Sequence, residues 1–349
     1  MTIAAPTPAL TVTPFAGKST EWDSFVREQA GWTHFHLFGW RDVISRTFGH
    51  ECIYLAARDE AGGIRGVLPL VRVRSVLFGH YLVSMPFLNY GGPLGDDEAH
   101  GALVDYAVAI AQRDRVTLLE LRSRRPLSLS LPVSHRKITL VLDLPPGNPE
   151  TLWKSLDAKV RSQVRRPQKD GVTVRFGQEQ VEPFFHVFSR HMRDLGTPTQ
   201  PRRLFETIAA RFPDDAWFGC AYLGEQPVAG GCGFRWGTEF EMTWASSLRE
   251  FSRSAPNMLL YWAFMERAAR EGLSLFNFGR CSPGGGTHRF KLQWGSREER
   301  LWWYGLSRRE GVATPSPDDG AYALGPRVWR RLPLRLATAI GPRIVRFIP

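Results

Sequence analysis

Hydrophobic and polar residues alternate along the first half of this chain in short series that predict strands, with one longer helical pattern between them. The predicted strands are Cys52–Arg58, Gly66–Arg74, Leu82–Met85 and Val116–Arg122. The spacing of apolar residues predicts a helix near Glu98–Arg113, just before the last of these strands. The first half therefore predicts a layer that contains both strands and helices.

The second half repeats this order of elements. Its predicted strands are Trp217–Leu223, Pro227–Trp236, Glu239–Ala245 and Leu275–Gly279. Its predicted helices are Pro149–Arg165, Val181–Asp194 and a third that begins at Pro256 and is ended by Gly272.

The repeated order predicts two copies of one α/β (α+β) domain, at residues 1–148 and 149–308. A chance likeness between two generic α/β patterns is the alternative. Residues 309–349 differ in composition and predict a linker and a basic amphipathic tail.

Composition supports packed domains and points to an anionic partner. The 349 residues are 43% hydrophobic and include 12 tryptophans, which excludes a disordered chain. The formal net charge of +11 favours nucleic acid, a phosphorylated substrate or anionic lipid, although a merely basic enzyme is an equal alternative.

The four cysteines show neither metal-ligand spacing nor a disulfide framework, so we expect no metal site and a reducing compartment. The first residues lack a signal-peptide pattern, and no apolar run approaches the length of a membrane span. These features predict a cytoplasmic protein.

The last residues, 326–349, carry six arginines and no acidic residue, with apolar side chains interleaved. This composition is typical of segments that lie on an anionic membrane surface. Packing of the tail on the protein's own body is the competing interpretation.

The segment Leu275–Gly295 carries the strongest candidate chemistry. A buried strand leads into a run of three glycines, which lets a backbone approach a ligand closely. Lys291 and Arg289 follow, on one face if the segment is extended, and Arg280 stands at the end of the strand. We expect Lys291 to be a catalytic cation, Arg289 and Arg280 to bind substrate, and His288 to contribute beside them. Ordinary surface cations are the alternative.

Other candidates lie at the ends of elements. Asn257 can orient a substrate, or it can simply cap its helix. Tyr90, beside two glycines, can line the acceptor cleft, or it can belong to a plain turn. Trp244 and Ser246 can face the site from the end of a strand, with core burial as the alternative for the tryptophan.

Two polar groups complete the candidates. Near the end of one predicted helix we expect Arg193 to bind substrate and Asp194, or alternatively His191, to transfer a proton. The basic run that begins at Lys154 and ends at Lys169 can grip tRNA phosphates or an acidic headgroup, or can simply be a solvated face.

Several segments together resemble FemAB-type transferases, and more closely the FemAB-like proteins of exosortase/PEP-CTERM and exopolysaccharide systems. They are WASSLREFSRSAPNMLLYW, FNFGR, GTHRFKLQWG, FGHECIYLAA, KVRSQVRRPQKDGV and HMRDLGTP. The resemblance spans roughly Phe35 to Tyr304 and is carried by the joint spacing of the segments.

The resemblance implies two GNAT-like (acyl-CoA N-acyltransferase-fold) domains in tandem. It further implies transfer of an acyl or aminoacyl group to an amine on a cell-envelope precursor, such as a saccharide, an exopolysaccharide or a peptidoglycan peptide. Aminoacyl-tRNA or acyl-CoA is the implied co-substrate, with no tightly bound cofactor. Asn277 stands where the family has Asp, and His288 where it has Tyr, which puts in doubt a mechanism resting on a carboxylate at position 277.

The sequence thus predicts an N-acyltransferase that works from the cytoplasm, with the inner membrane surface as a place of contact. A conventional CoA site would carry a glycine-rich loop where this chain has Arg253–Met258, which argues against a standard CoA clamp. A non-catalytic scaffold that binds membrane or polysaccharide machinery through basic surfaces is the rival function.

Overall fold

The computed structural model describes residues 10–75, 79–308 and 324–348. Its strands are β1 Thr11–Pro14, β2 Glu51–Arg58, β3 Ile64–Ser75, β4 Gly79–Ser84, β5 Leu94–Gly95, β6 Leu118–Ser123, β7 Val133–Ser134, β8 Ile138–Asp143, β9 Val172–Phe176, β10 Ala216–Leu223, β11 Gln226–Trp236, β12 Glu239–Ser247, β13 Leu275–Cys281, β14 Arg297–Arg300 and β15 Trp302–Ser307. Its helices are α1 Ser19–Glu28, α2 Gly39–Phe48, α3 Asp97–Arg113, α4 Pro149–Ser155, α5 Ala158–Lys169, α6 Val181–Leu195, α7 Arg202–Arg211, α8 Pro256–Arg270, α9 Gly286–Leu292, α10 Leu324–Trp329 and α11 Leu334–Val345.

The chain divides into two compact units. The first contains the residues up to His135 and the segment that starts at Leu301; the second contains Arg136–Arg300 and the C-terminal helices. Each unit is a largely antiparallel sheet with helices against it, so the predicted two-domain GNAT-like α/β fold is confirmed.

The sheet of the first unit has the strand order β1-β2-β3-β4-β6-β15-β7, with β5 paired to β3. Neighbours are antiparallel except β4 and β6, which pair in parallel over Tyr81–Val83 and Leu118–Glu120. Helix α3 begins after Asp96, whose carboxylate accepts a hydrogen bond from the Ala99 amide at 2.9 Å. One apolar side of α3 is buried with the leucines of these strands.

The sheet of the second unit has the order β14-β8-β13-β12-β11-β10-β9, again with one parallel pair, β12 with β13. Helices α6 and α8 cover its two faces. A Cβ on Gly230 would lie 3.2 Å from Phe184 of α6, and one on Gly231 would lie 3.1 Å from Phe264 of α8. Since successive residues of a strand face opposite sides, the two glycines let both helices approach β11 closely.

The boundaries of the two units differ from the predicted ones. Strand β8 lies between β13 and β14 in the second sheet, and β15 lies between β6 and β7 in the first. Each sheet is therefore completed by a strand from the far side of the predicted boundary at 148.

The predicted helix Pro149–Arg165 is in fact two helices. Helix α4 ends at Ser155, and Asp157 caps α5 by accepting a hydrogen bond from the Lys159 amide at 2.7 Å. Arg161 donates to the carbonyl oxygens of Lys154 and Leu156, which satisfies the end of α4.

The C-terminal helices pack on the second unit. Arg193 of α6 donates to the Leu332 carbonyl oxygen at 3.2 Å, and Arg330 donates to the Leu195 carbonyl oxygen at the same distance. Packing on the body, one of the two predicted interpretations, therefore holds for residues 324–348. Among the described residues, no helix has both the length and the apolar character that crossing a bilayer requires.

Candidate active site

The parallel strands β12 and β13 separate after a short contact. They pair only over Glu239–Glu241 and Leu275–Asn277, although both strands continue further. Each strand is irregular at this point: the register of β12 shifts at Thr243 and that of β13 shifts before Arg280. Gly279 adopts a φ of 70°, a conformation that glycine takes without strain. The result is an opening between two strands of one sheet.

Asn277 holds the bulge of β13 together. Its Oδ1 accepts hydrogen bonds from Thr139 Oγ1 at 2.6 Å and from the Gly279 amide at 2.8 Å. Its Nδ2 donates to Glu239 Oε1 at 2.8 Å, and both side chains are buried. Asn277 therefore has a structural role at the bulge, since a carboxylate at this position would lack the Nδ2 donor and would face the carboxylate of Glu239.

Asn277→Asp is expected to destabilise the protein by about 1–3 kcal/mol at neutral pH, because it places two buried carboxylates against each other. Repulsion raises the pKa of such a pair, so protonation relieves it and the deficit shrinks as the pH falls. Urea denaturation at neutral and acidic pH measures this difference. Thr139→Val is the control, because it removes the hydroxyl that donates to Asn277 Oδ1 without adding charge. An equal pH dependence of stability in both variants would contradict this explanation.

Lys291 lies beneath the same bulge. The prediction that it alternates with Arg289 on an extended segment is wrong, because both residues belong to helix α9. The Lys291 side chain is only 3% exposed, and its Nζ donates to the carbonyl oxygens of Gly279 at 2.6 Å and Arg280 at 3.0 Å. Burial lowers the pKa of Lys291 to about 8, against the opposing influence of Cys281 and Glu241. A desolvated cation is thus fixed against the backbone where the strands part.

His288 fixes the glycine loop. Its Nδ1 accepts a hydrogen bond from the Gly284 amide at 3.0 Å, so Nε2 carries the proton and donates to Glu298 Oε1 at 2.8 Å. Both ring nitrogens are hydrogen-bonded within the protein. His288 therefore holds the shape of the loop, whereas we expected it to contribute beside the substrate-binding arginines.

Apart from His288, the glycine loop is exposed, and several cations lie near it. Residues 283–287 and Arg289 are exposed, while Arg280 is half-buried. Lys137 donates to Ser282 Oγ at 2.6 Å. The Arg289 guanidinium has no ion pair with any residue that the structure describes. This loop has the charge and the accessible backbone that an anionic substrate group requires.

Asn257 lies at the start of α8, which approaches the end of α9. It is the second residue of the helix after Pro256, and no side chain caps the helix. The capping alternative for Asn257 is therefore not observed, and its amide makes no hydrogen bond to the described part of the chain. Gln293, just after α9, contacts Met258 Sδ at 3.6 Å, which brings the start of α8 and the end of α9 together.

The remaining second-unit candidates form a separate group around the end of α6. Trp244 packs edge-on against Phe205 of α7, with ring centroids 5.3 Å apart, and Ser246 is buried. Asp194 accepts a hydrogen bond from Arg193 at 2.6 Å, and Arg193 also bonds the tail. Trp244 is thus half-buried against α7 and is not a fully buried core residue, while Arg193 and Asp194 form an ion pair.

Tyr90 belongs to the first unit, where it packs against Phe35 and beneath Arg124. It lines a small cavity of ≈ 60 Å³ together with His36 and Arg122. A larger cavity of ≈ 550 Å³ lies between α5, β9 and α8, and none of our candidate residues lines it. Lys291 lines neither of these two cavities.

The corresponding strand pair of the first unit is closed by its own loop. The Arg122 amide donates to Ser84 Oγ at 2.7 Å, and the Arg122 carbonyl accepts from the amides of Gly91 and Gly92. The Arg122 guanidinium donates to Glu120 Oε1 at 2.8 Å and to the Leu88 carbonyl oxygen. This buried pair was not predicted, although Glu120 and Arg122 alternate in an otherwise apolar strand, which is a signal that the sequence carries.

Comparison with known proteins agrees with this geometry. Residues 154–292 match the model of the acetyltransferase (GNAT) domain family. No curated protein sequence matches the chain.

Solved structures share the tandem fold at low sequence identity. FemX superposes with a TM-score of 0.65 at 16% identity, covering 84% of this chain and 97% of FemX. The C-terminal domain assigned to a lysylphosphatidylglycerol synthetase from Agrobacterium fabrum gives 0.54 at 13%, covering 82% and 90%. A tandem GNAT protein from the clavulanic acid biosynthesis pathway gives 0.50 at 12%, covering 87% and 100%. The chain is therefore similar in fold to tandem GNAT proteins.

Proposed function

We propose that this protein is an N-acyltransferase that joins an activated acyl or aminoacyl group to an amine of a cell-envelope or exopolysaccharide precursor. The observation that carries the proposal is the buried Lys291 cation at the point where β12 and β13 separate. The resemblance to FemAB-type proteins, and in particular to their exosortase-associated branch, supports the class of acceptor.

The reaction places negative charge on the carbonyl oxygen of the donor when the amine attacks it. Lys291 donates to two consecutive carbonyls of the β13 bulge, which polarises the peptide units there and keeps a positive charge close to them. We infer that Lys291 is a positioning residue for an oxyanion that binds at the bulge, and that Asn257 orients the acceptor. Holding the two reactants in line supplies much of the remaining acceleration.

The start of α8 favours aminoacyl-tRNA over acyl-CoA as the donor. A pyrophosphate is commonly held by backbone N–H groups at a helix start. Here Pro256 has no N–H to donate, and the residue before it, in a left-handed conformation (φ 52°), is Ala255 and not a glycine. The start of α8 therefore lacks features of a usual pyrophosphate site.

The exposed face of α5 supports a tRNA donor as well. Lys159, Arg165, Arg166 and Lys169 are exposed, and none has a carboxylate partner among the residues described. Unneutralised cations along one helix suit a phosphate backbone.

Single-turnover transfer tests the proposal. Purified protein is mixed with radiolabelled aminoacyl-tRNA or acyl-CoA and with lipid-linked envelope precursors, and label in the acceptor is measured. We expect transfer from aminoacyl-tRNA into an amide that resists mild alkali. Transfer from neither donor, with the protein folded and still bound to the precursor, would favour the scaffold function.

Activity is expected to fall as the pH rises above about 8. The pKa of Lys291 is lowered from 10.5 to about 8 by burial, so the ammonium is lost above that value. The acceptor amine must itself lose a proton, which gives the opposite limb at lower pH. The pH profile of kcat/KM in the wild type and in Lys291→Arg, whose guanidinium stays charged, measures the effect. An upper limb that is identical in both proteins would rule out Lys291 as its source.

A further inference from the structure

The docked tail touches the body through a narrow side of α11. Ala337, Gly341 and Val345 are buried and recur every fourth residue, so they share one side of the helix. A Cβ on Gly341 would lie 2.9 Å from the Thr199 amide nitrogen and 3.1 Å from the Thr199 carbonyl oxygen. The small side chains on this side permit a close fit, and they leave the opposite side of α11 uncovered.

The uncovered side is both apolar and basic. Arg335, Leu336, Ala339 and Arg343 are exposed there. The three most exposed large hydrophobic side chains of the described residues are Val328 at 64%, Leu195 at 49% and Leu336 at 44%. All three lie on the tail helices or at the end of α6, on which the tail docks.

The arginines of this surface are not neutralised by acidic residues of the tail. Residues 324–348 contain neither Asp nor Glu. Arg327, Arg331, Arg335 and Arg343 are exposed, and none forms an ion pair with a residue in the described ranges. The surface therefore combines uncompensated positive charge with aliphatic side chains that water solvates poorly.

We propose that the docked helices α10 and α11, together with Leu195, form one surface that binds anionic lipid headgroups while the tail stays packed on α6. Arginines attract the headgroups, and Val328, Leu195 and Leu336 enter the boundary between headgroups and acyl chains. Exposed aliphatic side chains favour lipid over nucleic acid, whose bases stack on exposed aromatic residues. In this proposal docking and membrane attachment use opposite sides of α11, so the two predicted interpretations of the tail are compatible with each other.

Sedimentation with phosphatidylglycerol-containing vesicles and with pure phosphatidylcholine vesicles tests the surface. We expect the wild type to bind only the former. Arg335→Glu with Arg343→Glu is expected to weaken binding at least about tenfold. Lys159→Glu with Arg166→Glu on α5 makes the same change in net charge and should stay within about twofold of the wild type. Equal losses in the two double variants would overturn the proposal, as would wild-type protein that fails to sediment.

Two further variants test insertion and docking. Val328→Ser with Leu336→Ser keeps the charge and should weaken binding several-fold; unchanged binding would contradict insertion. Gly341→Leu collides with Thr199 and releases α11. Because the docked surface is preorganised, this variant should bind no more tightly than the wild type, whereas tighter binding would show that the free tail is the binding form. None of the tail variants alters the proposed transfer site or the basic face of α5, so transfer and attachment fail or succeed separately.

Discussion

Lys291→Met is expected to lower kcat/KM for acyl transfer by at least about a hundredfold. Removing one group that stabilises an oxyanion typically costs about 10²–10³ in rate. Lys291 is the cation that donates to both Gly279 and Arg280 at the bulge, so its loss removes the positive charge and loosens the backbone there. Single-turnover rates over a range of donor concentrations, from below to above saturation, measure the loss.

The methionine keeps the length and the apolar stem of lysine, which limits packing changes. It leaves the two carbonyls without the Lys291 donor, but it also removes a desolvated ammonium, so we expect the stability change to stay below about 3 kcal/mol. Lys137→Met is the matched control, since Lys137 donates to Ser282 in the neighbouring loop and is only partly buried. Wild-type rates in a folded Lys291→Met protein would disprove the assignment.

Arg122→Met is expected to lower the free energy of unfolding by about 3–5 kcal/mol. The guanidinium is 1% exposed; it pairs with Glu120, donates to the Leu88 carbonyl oxygen and lies 4.5 Å from the ring centroid of Trp303. Its removal leaves the Glu120 carboxylate buried without this partner and frees the loop that closes the first unit. Equilibrium unfolding in urea measures the loss.

Two variants establish that burial is the cause. Arg270→Met breaks an exposed pair with Glu266 and should cost no more than about 0.5 kcal/mol. Arg122→Met combined with Glu120→Gln removes the buried charge as well and should recover part of the stability. A single-variant cost as small as that of Arg270→Met would show that the pair contributes little.

The strands and helices that the sequence predicted lie within a few residues of observed ones, apart from Pro149–Arg165, which is divided into α4 and α5. Helix α3 was predicted at Glu98–Arg113 and found at Asp97–Arg113, because its apolar period and its acidic start are strong signals. The strand pattern around Gly230 and Gly231 was also clear, although the reason for the two glycines, a helix on each face, needed the structure.

The segment around Lys291 could not be assigned from its pattern. Aromatic and basic residues alternate there, as they do in a strand. In the structure Phe290 and Trp294, four residues apart, both contact Tyr261 of α8, at centroid distances of 5.0 and 6.4 Å. Tertiary packing therefore selects a helix over the local alternation, and it turns Lys291 inward.

The neighbouring strands of β8 and β15 in the two sheets could not be predicted from the sequence either. An alternating pattern identifies a strand and its buried face but says nothing about which strand lies beside it. The predicted boundaries placed β8 with the first domain and β15 with the second, and the hydrogen-bonded ladders place them the other way.

This exchange sets the order in which a nascent chain can mature. Because β15 lies between β6 and β7, the ribosome must translate the chain as far as Ser307 before all strands of the first sheet can pair. At typical translation rates of roughly 5–20 residues per second, the β6 edge waits several seconds or longer for its neighbour. An unpaired edge recruits other strands, so we expect cotranslational chaperones to shelter the first unit until β15 emerges.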